Sequence, residues 1–300
     1  MVGFDDFWQG LKAGLAGVPG DWERIRRDET AFFHGRRWKI DWVRFSSFHD
    51  SLIWGWLATP ADHPATGAGM LWLPGYSYGT PPPDETDLVE GVATLCINVH
   101  GNEPNEPYVN PAGKNDYITQ GIEDPATYIF TKISAHCLRA LDVLGEQDGV
   151  DGARVCVGGM SQGGALALIT AAQNKRARLC FADMPFLCEV RRALSLSRSP
   201  AYTALRHYLE CHPVTAEAAL ATVSLFDPIH HAPDITVPTW MSAGGRDPAS
   251  KPATIEAVFE RVASPVKEYR LFEKSGHVFV PEMNAKQHEW IEKYLHSATN

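Results

Sequence analysis

The sequence predicts an α/β fold with a mostly parallel central sheet and helices on both of its faces. Continuous apolar runs are typical of strands that a parallel sheet buries on both sides. Five such runs occur: GMLWLP (69–74), VATLCINV (92–99), RVCVGG (154–159), RLCFAD (178–183) and PTWMSAG (238–244). Helical patterns lie between them, at 125–145, 162–174 and 250–263. Strands that alternate with helices in this way favour a parallel sheet with helical crossovers.

The N-terminal part predicts a helix followed by an antiparallel pair of strands. FDDFWQGLKAGL has a helical pattern, and residues 1–37 are predicted to form a helical extension, with the arginines of 24–27 on a solvated helix face. Large and polar side chains alternate in WKIDWVRFS (38–46), and SLIWGWLA (51–58) follows after a short turn. This pattern predicts two antiparallel strands at a sheet edge.

The C-terminal part interrupts the alternation once. Residues 186–226 carry several helical stretches and no convincing strand, so we predict a helical insertion after the sixth strand. The insertion either forms a lid over the site or packs against the sheet edge. KEYRLFE (267–273) predicts another strand, and a closing helix is expected from about 283 to 296. The whole chain, 1–300, is predicted to be a single domain.

Charge and composition exclude several classes of protein. The net charge of −9 repels phosphate backbones, so no nucleic-acid partner is expected. No apolar run reaches the roughly 18 residues of a membrane span, and MVGFDDFWQG lacks the basic start of a signal peptide. The cysteines form no C-x-x-C pair, and Cys96, Cys156 and Cys180 lie in apolar runs typical of small buried residues. We therefore expect reduced thiols, a cytoplasmic location and no cofactor.

Residues 159–163, GMSQG, match the pattern G-x-S-x-G between an apolar run and an alanine-rich helical pattern. A nucleophile elbow needs a strand, a very tight turn and a helix, with small residues beside a strained serine. The helix N-terminus also places partial positive charge where an oxyanion would form. This context predicts that Ser161 is a nucleophile. The alternative is a structural glycine-rich turn.

A serine hydroxyl needs an adjacent base, and the base needs an acid that orients it. In α/β-hydrolases these follow in the chain order Ser, Asp or Glu, His. Asp247 follows the apolar run PTWMSAG and is the predicted acid, with Asp183 in FADMPF as the alternative. His277 lies in EKSGHVFVPEM, between the last strand and the last helix, and is the predicted base.

The oxyanion hole is expected to use two backbone N–H groups. The first belongs to Gln162, which follows the nucleophile. The second comes from the loop at 73–79, after the third predicted strand. Pro74 has no N–H, so Gly75 or Tyr76 must donate. The alternative is a plain proline-rich turn.

The chain resembles the acetyl xylan esterase/cephalosporin-C deacetylase family of α/β-hydrolases, carbohydrate esterase family 7. The resemblance extends over nearly the whole length and rests on seven segments: FDDFW, PGYSYG, QGIEDPATYIFTKISAHCLRALDVL, GGMSQGGALAL, ADMPFLCEVRRAL, LFDPIHHA and TWMSAGGRDPASKPATIEAVF. It implies the α/β-hydrolase fold, with Ser161, Asp247 and His277 as the triad. It also implies the amides of Tyr76 and Gln162 as the oxyanion hole, and deacetylation of small acetylated sugars or similar esters, often in an intracellular homo-oligomer.

Two short segments depart from the family's pattern. The family usually carries Arg-Gly-Gln after the fourth strand, where this chain has His-Gly-Asn at 100–102, and His-Glu at the base, where this chain has His-Val at 277–278. The family's arginine network is therefore absent or rebuilt, which leaves substrate and assembly open. The tract GNEPNEPYVNPAGKNDY (101–117) either shapes the pocket or forms a surface loop. Three residues are expected to contact the substrate: Gly75, His100 and Asn102.

The sequence thus predicts a serine esterase that hydrolyses short-chain acetyl esters of small molecules. One alternative is a serine hydrolase of other acyl esters or of peptides. Another is a binding protein that kept the fold, since fold alone does not prove activity. A metal site could use His230 and His231 with Asp227 and Asp234, but adjacent histidines point in different directions and no H-x-x-x-H spacing occurs. No metal is therefore expected.

Overall fold

A computed structural model describes residues 2–33, 35–62, 64–76, 79–84, 88–104, 106 and 117–296. Its strands are β1 (Trp22–Phe33), β2 (Arg36–Ser47), β3 (Ser51–Pro60), β4 (Gly69–Leu73), β5 (Ala93–Ile97), β6 (Val155–Met160), β7 (Ala177–Asp183), β8 (Thr239–Gly244) and β9 (Lys267–Phe272). Its helices are α1 (Phe4–Ala16), α2 (Ile129–Gly145), α3 (Gln162–Gln173), α4 (Val190–Leu196), α5 (Pro200–Cys211), α6 (Ala216–Ser224), α7 (Pro228–His231), α8 (Pro252–Arg261) and α9 (Pro281–Ile291). A 3₁₀ turn follows α7 at Ala232–Asp234, and a π-helical turn follows α9 at Glu292–His296.

Within the described ranges the strands form one sheet of nine, in the order β1-β2-β3-β5-β4-β6-β7-β8-β9. The pairs from β5 through β9 are all parallel. The pairs β1–β2, β2–β3 and β3–β5 are antiparallel. This arrangement confirms the mostly parallel sheet with an antiparallel edge that the sequence predicts.

Successive strand residues point to opposite faces of the sheet and contribute to two separate core layers. Leu71 and Val157 pack on the face that α2 and α3 cover. Their neighbours Met70 and Cys156 pack on the opposite face, against Trp290 of α9. Both layers are needed because a parallel strand has no solvent-facing side. Helices on both faces of the sheet are thereby confirmed.

The prediction for residues 1–37 was wrong in part. Among the described residues of this segment only Phe4–Ala16 is helical, and β1 follows as an outer strand paired with β2, so residues 24–27 lie in a strand. Charged side chains through the middle of WERIRRDETAFF hide the strand pattern. Two of its polar groups find their partner on the next strand, since the Arg24 guanidinium and the Arg27 N–H both bind the buried carboxylate of Asp41.

The helical insertion consists of α4, α5 and α6, which pack against one another. It follows β7, which is the seventh strand of the sheet and not the sixth, because β1 adds a strand that the sequence pattern did not reveal. The insertion begins directly beyond the carboxyl end of β7. Ligands of open α/β sheets bind beyond this edge, so the position of the insertion bears on the site.

The burial of the cysteines agrees with their position in apolar runs of the sequence. Five of the six cysteines are buried, Cys96, Cys156 and Cys180 among them, and Cys211 is exposed. Burial raises the pKa of the Cys137, Cys156 and Cys180 thiols above its usual range. Within the described part of the chain, no helix has both the length and the apolar content needed to cross a membrane.

Candidate active site

Ser161 is the single residue between β6 and α3, at a turn of unusual backbone geometry. Its φ of 60° and ψ of −119° lie outside the regions that side-chain-bearing residues favour. The conformation is held from both sides: the Ser161 N–H donates to the Asp183 carbonyl at 2.9 Å, and the Ser161 carbonyl accepts from Ala165 and Phe186. A strained serine that its surroundings hold in place is typical of a nucleophile elbow.

The glycines beside Ser161 are required by close backbone contacts. A Cβ on Gly159 would lie 2.5 Å from the carbonyl carbon of Gly163. A Cβ on Gly163 would collide with the carbonyl of Leu73, at the end of β4. A Cβ on Gly164 would lie 3.0 Å from the Asp183 carbonyl oxygen. The first turn of α3 therefore packs directly on the carboxyl ends of the neighbouring strands, as the sequence predicts for an elbow.

Asp247 and His277 form a hydrogen-bonded pair. His277 Nδ1 lies 2.6 Å from Asp247 Oδ2. The other carboxylate oxygen accepts the N–H groups of Ala249 at 2.7 Å and Ser250 at 2.9 Å. The Asp247 side chain is fully buried, whereas that of His277 is 24% exposed. The structure thus joins the predicted acid to the predicted base and fixes the orientation of the carboxylate.

Two loops carry this pair, and their backbones are in direct contact. The N–H of Gly245 donates to the Phe272 carbonyl at 2.9 Å, and the N–H of Arg246 donates to the Ser275 carbonyl at the same distance. A Cβ on Gly244 would collide with the carbonyl of Gly276. The paired glycines at the end of β8 therefore allow close packing against the histidine loop.

Asp183, the alternative acid, directs its carboxylate elsewhere. It accepts the Ser242 hydroxyl at 2.7 Å, the Trp240 indole N–H at 3.2 Å and the Gln287 amide at 3.4 Å. Complete burial raises the pKa of Asp183 to about 6, and these three hydrogen bonds partly oppose the rise. The structure therefore favours Asp247 as the partner of His277. Asp183 contributes to the site through its carbonyl, which holds the Ser161 N–H.

A cavity of about 890 Å³ contains Ser161 and His277 in its wall. Gly75 and Tyr76, the candidates for the second oxyanion donor, line the same cavity. Gln162, the predicted first donor, begins α3 directly beside the serine. Ser77 and Tyr78 of the predicted oxyanion loop lie outside the described residues. The structure therefore brings Ser161, His277, Gly75 and Tyr76 to the wall of one cavity, with Asp247 hydrogen-bonded to His277 and Gln162 next to Ser161.

Residues that the sequence did not single out supply much of the remaining wall. Phe186 and three residues at the start of α5 contribute from the helical insertion: Ser199, Pro200 and Ala201. The insertion therefore reaches the site, and its action as a lid stays a prediction. Val278, which stands where the family usually has glutamate, also lines the cavity and is 53% exposed.

His100 and Asn102, the expected substrate contacts after β5, are not among the described residues that line the cavity. The His100 ring lies edge-on to Tyr117, with 4.6 Å between the ring centroids. Burial, and to a smaller extent the nearby His136, lowers the pKa of His100 to about 3, so the ring is neutral at physiological pH. Substrate contact by these two residues stays a prediction. Of the tract 101–117, residue 105 and residues 107–116 lie outside the described residues.

The residues considered for a metal site make other contacts. His231 is buried, with Nε2 3.0 Å from the Leu225 carbonyl and its ring packed edge-on against Trp8. The Asp227 carboxylate accepts backbone N–H groups from Glu189, Val190 and Ile229. Within the described ranges, no group of three or more His, Cys, Asp or Glu side chains is arranged to hold a metal ion.

Comparison with known proteins gives consistent matches. The model of the acetyl xylan esterase (AXE1) family matches residues 2–294. The acetyl esterase Axe7A of Xylanibacter ruminicola is 30% identical over 182 residues, which make up 61% of this chain and 40% of that protein. The match thus spans about two-fifths of that relative's length.

Two solved structures are similar over almost their whole length. An acetyl xylan esterase from Paenibacillus sp. R4 superposes with a TM-score of 0.86 at 29% identity, over 97% of this chain and 94% of that one. Acetyl xylan esterase 1 from Thermoanaerobacterium sp. JW/SL YS485 shares the fold, with a TM-score of 0.83 at 20% identity over 97% and 93% of the two chains. With the family match across residues 2–294, these findings lead to one conclusion: the chain belongs to the acetyl xylan esterase family, a family of carboxylic ester hydrolases with the α/β-hydrolase fold.

Proposed function

We propose that this protein is a serine esterase that removes short acyl groups, acetyl above all, from small alcohols such as sugars. The observation that carries the proposal is the hydrogen-bonded pair of Asp247 and His277 in the loops beside Ser161, with Ser161 and His277 in the wall of one cavity. Membership of the acetyl xylan esterase family supports the acetyl group as the acyl half of the substrate.

The proposed reaction has two halves and passes through an acyl-enzyme. Ser161 Oγ attacks the ester carbonyl carbon while His277 Nε2 takes the hydroxyl proton. The resulting oxyanion accepts hydrogen bonds from the N–H groups of Gln162 and Tyr76. His277 then returns the proton to the alcohol oxygen as the ester C–O bond breaks and the alcohol leaves.

The second half restores the enzyme with a water molecule. His277 takes a proton from the water molecule as the water oxygen attacks the acyl carbon. The bond between Ser161 Oγ and that carbon then breaks, His277 returns the proton to Ser161, and the acid is released. Asp247 holds the imidazole in one orientation and stabilises its charged form in both halves.

The decisive experiment replaces the nucleophile and measures hydrolysis of a short-chain aryl ester. Ser161→Ala should reduce turnover by a factor of about 10⁴ or more, while thermal unfolding stays close to that of the unchanged protein. A fluorophosphonate probe should label the unchanged protein at Ser161 and leave the variant unlabelled. Substantial ester hydrolysis by Ser161→Ala would overturn the proposal.

A substrate series defines the acyl and alcohol halves. Acetylated sugars, cephalosporin C and simple acetate esters should be compared with longer acyl esters and peptide amides. We expect acetyl esters to give the highest kcat/KM. A clear preference for long acyl groups or for peptide amides would instead support the alternative serine hydrolase. The cytoplasmic location and the homo-oligomeric state stay predictions, which cell fractionation and mass measurement in solution test.

A further inference from the structure

Tyr117 lies at the junction of the two segments that carry the proposed oxyanion donors. It is completely buried, and its ring stacks on that of Tyr76 with centroids 4.2 Å apart and planes 22° from parallel. On another side the neutral ring of His100 contacts it edge-on. Neither the spacing of the motifs nor the proposed mechanism assigns Tyr117 a role.

The hydroxyl of Tyr117 reaches the residue that follows the nucleophile. It donates a hydrogen bond to Gln162 Oε1 at 2.7 Å. The opposite end of the same side-chain amide, Nε2, lies 3.5 Å from the Gly75 carbonyl oxygen. Because Gln162 is fully buried, its amide is screened from competing water. The Gln162 side chain therefore spans the gap between α3 and the loop after β4, in an orientation that Tyr117 sets.

The backbone at Tyr117 reaches the other proposed donor. The hydroxyl oxygen of Tyr76 accepts the N–H of Tyr117 at 3.1 Å and the N–H of Ile118 at 3.0 Å. Two backbone donors on one hydroxyl, together with the stacked rings, restrict both the position and the rotation of the Tyr76 side chain. The contacts form a closed circuit from Gln162 to Tyr117, on to Tyr76, and back through Gly75 to Gln162.

We propose that Tyr117 is a positioning residue which holds the backbone N–H groups of Gln162 and Tyr76 at a fixed separation in the oxyanion hole. The inference rests on the proposed esterase function. Oxyanion donors act because they are in place before the charge develops, and a small displacement removes much of their effect. Tyr117 therefore affects the transition state through Gln162 and Tyr76, without touching the substrate.

Tyr117→Phe isolates the hydroxyl, because it keeps the stacked ring and both backbone N–H groups. We expect kcat for a short-chain ester to fall about 10- to 30-fold, with KM within twofold of the original value. The affinity for an aryl boronic acid, which forms a tetrahedral adduct with the serine, should fall in parallel. If Tyr117 only stabilised the fold, the substitution would lower the fraction of folded protein and not the rate of each folded molecule. Each rate should therefore be divided by the fraction of protein that a fluorophosphonate labels.

Tyr208→Phe is a matched control. Its hydroxyl donates to the Glu123 carboxylate at 2.8 Å, so the substitution also removes one side-chain hydrogen bond of a tyrosine. It lies on α5, and it is not among the described residues that line the cavity. Its kcat and boronic acid affinity should match those of the unchanged protein. If Tyr208→Phe lost as much kcat as Tyr117→Phe, the effect would not depend on the contact between Tyr117 and Gln162, and the inference would be contradicted.

Gln162→Met tests the same link from the other side and serves if Tyr117→Phe fails to fold. Methionine keeps the size of the side chain and the proposed N–H donor but loses both amide contacts. We expect a similar loss of kcat, and the double variant should lose no more than either single one, because both break one circuit.

The inference fails if Tyr117→Phe keeps full kcat, if only KM changes, or if the two substitutions are additive. Failure of the proposed function has a different signature: no ester hydrolysis by the unchanged protein, or hydrolysis that survives Ser161→Ala. The two failures can therefore be told apart.

Discussion

Asp247 and His277 are 30 positions apart in the chain, yet His277 Nδ1 lies 2.6 Å from Asp247 Oδ2. The second oxygen of that carboxylate is held by two backbone N–H groups, from Ala249 and Ser250. The carboxylate therefore has one orientation and presents one acceptor to the imidazole. In the proposed mechanism the Nδ1 proton is directed at Asp247, which leaves Nε2 to accept a proton from Ser161.

Asp247→Asn should reduce activity strongly with little change in the fold. Asparagine can keep its Oδ1 on the N–H groups of Ala249 and Ser250, which directs its NH₂ at His277. That arrangement favours the tautomer with the proton on Nε2, which cannot act as the base. We expect kcat to fall by a factor of about 10³ to 10⁴, measured by ester hydrolysis. A loss of less than tenfold in folded protein would contradict Asp247 as the orienting acid.

The strain in the Ser161 backbone should lower the free energy of unfolding, and replacing Ser161 should reveal it. Ser161→Ala and Ser161→Gly both remove the nucleophile, but glycine adopts a positive φ without a steric cost. We expect Ser161→Gly to be more stable than Ser161→Ala by about 1 kcal/mol, after the greater entropy of glycine in the unfolded chain is taken into account. Chemical denaturation of the two inactive variants measures the difference. A Ser161→Gly variant that is less stable than Ser161→Ala would contradict a strained turn, because only the entropy cost of glycine would then remain.

Gly163→Ala should damage the protein, because a Cβ at this position collides with the backbone carbonyl of Leu73. Backbone at the end of a buried strand cannot move aside easily, so we expect a loss of about 3 kcal/mol or more in the free energy of unfolding. Gly10→Ala in α1 is the control, since a Cβ there meets no atom within 4 Å. Thermal unfolding of both variants measures the two losses. If Gly163→Ala were as stable as Gly10→Ala, the close packing of the elbow would be contradicted.

Asp183 should make stability depend on pH between about 4 and 6. Burial raises its pKa in the folded protein to about 6, from an ordinary value of 3.8. The folded state then holds this proton more tightly than the unfolded chain does. Its contribution to stability is therefore present in full below about pH 4 and is lost as the pH rises through about 6.

Asp183→Asn removes this titration and keeps a neutral side chain of the same shape. At pH 8 the variant should be more stable than the unchanged protein by about 1–3 kcal/mol, and the difference should shrink toward zero near pH 4. Denaturant unfolding across this range measures it, with Asp148→Asn as an exposed control. A stability difference that does not vary with pH would contradict the raised pKa.

The elbow and the meeting of Asp247 with His277 could be predicted because the signals for both lie in local sequence. The five residues 159–163 contain the turn, and the apolar runs before Ser161 and Asp247 place each residue at the end of a parallel strand. The carboxyl ends of parallel strands meet at one edge of the sheet. Residues that follow different strands can therefore be expected together from their positions alone.

The misjudged strand β1 depends on a partner strand and not on its own sequence pattern. The outer strand β1 carries a charged sequence and pairs with β2, where Asp41 binds two of its groups. His100 and Asn102 follow β5 as expected, and their contact with substrate stays a prediction. Among the described residues, the cavity wall also includes Phe186 and Val278. Nothing in the neighbourhood of these residues along the chain indicates which way their side chains turn.

By itself, the sequence determined the alternation of strands and helices, the strained serine between glycines, and the order of Ser161, Asp247 and His277. Only the tertiary structure decided that Asp247 and not Asp183 faces the histidine, and that Tyr117 joins Gln162 to Tyr76. The physical reason is the range of the interactions. Backbone geometry and burial periodicity are set by neighbours in the chain, whereas the partner of a buried hydroxyl or carboxylate is set by packing between segments that lie far apart in it.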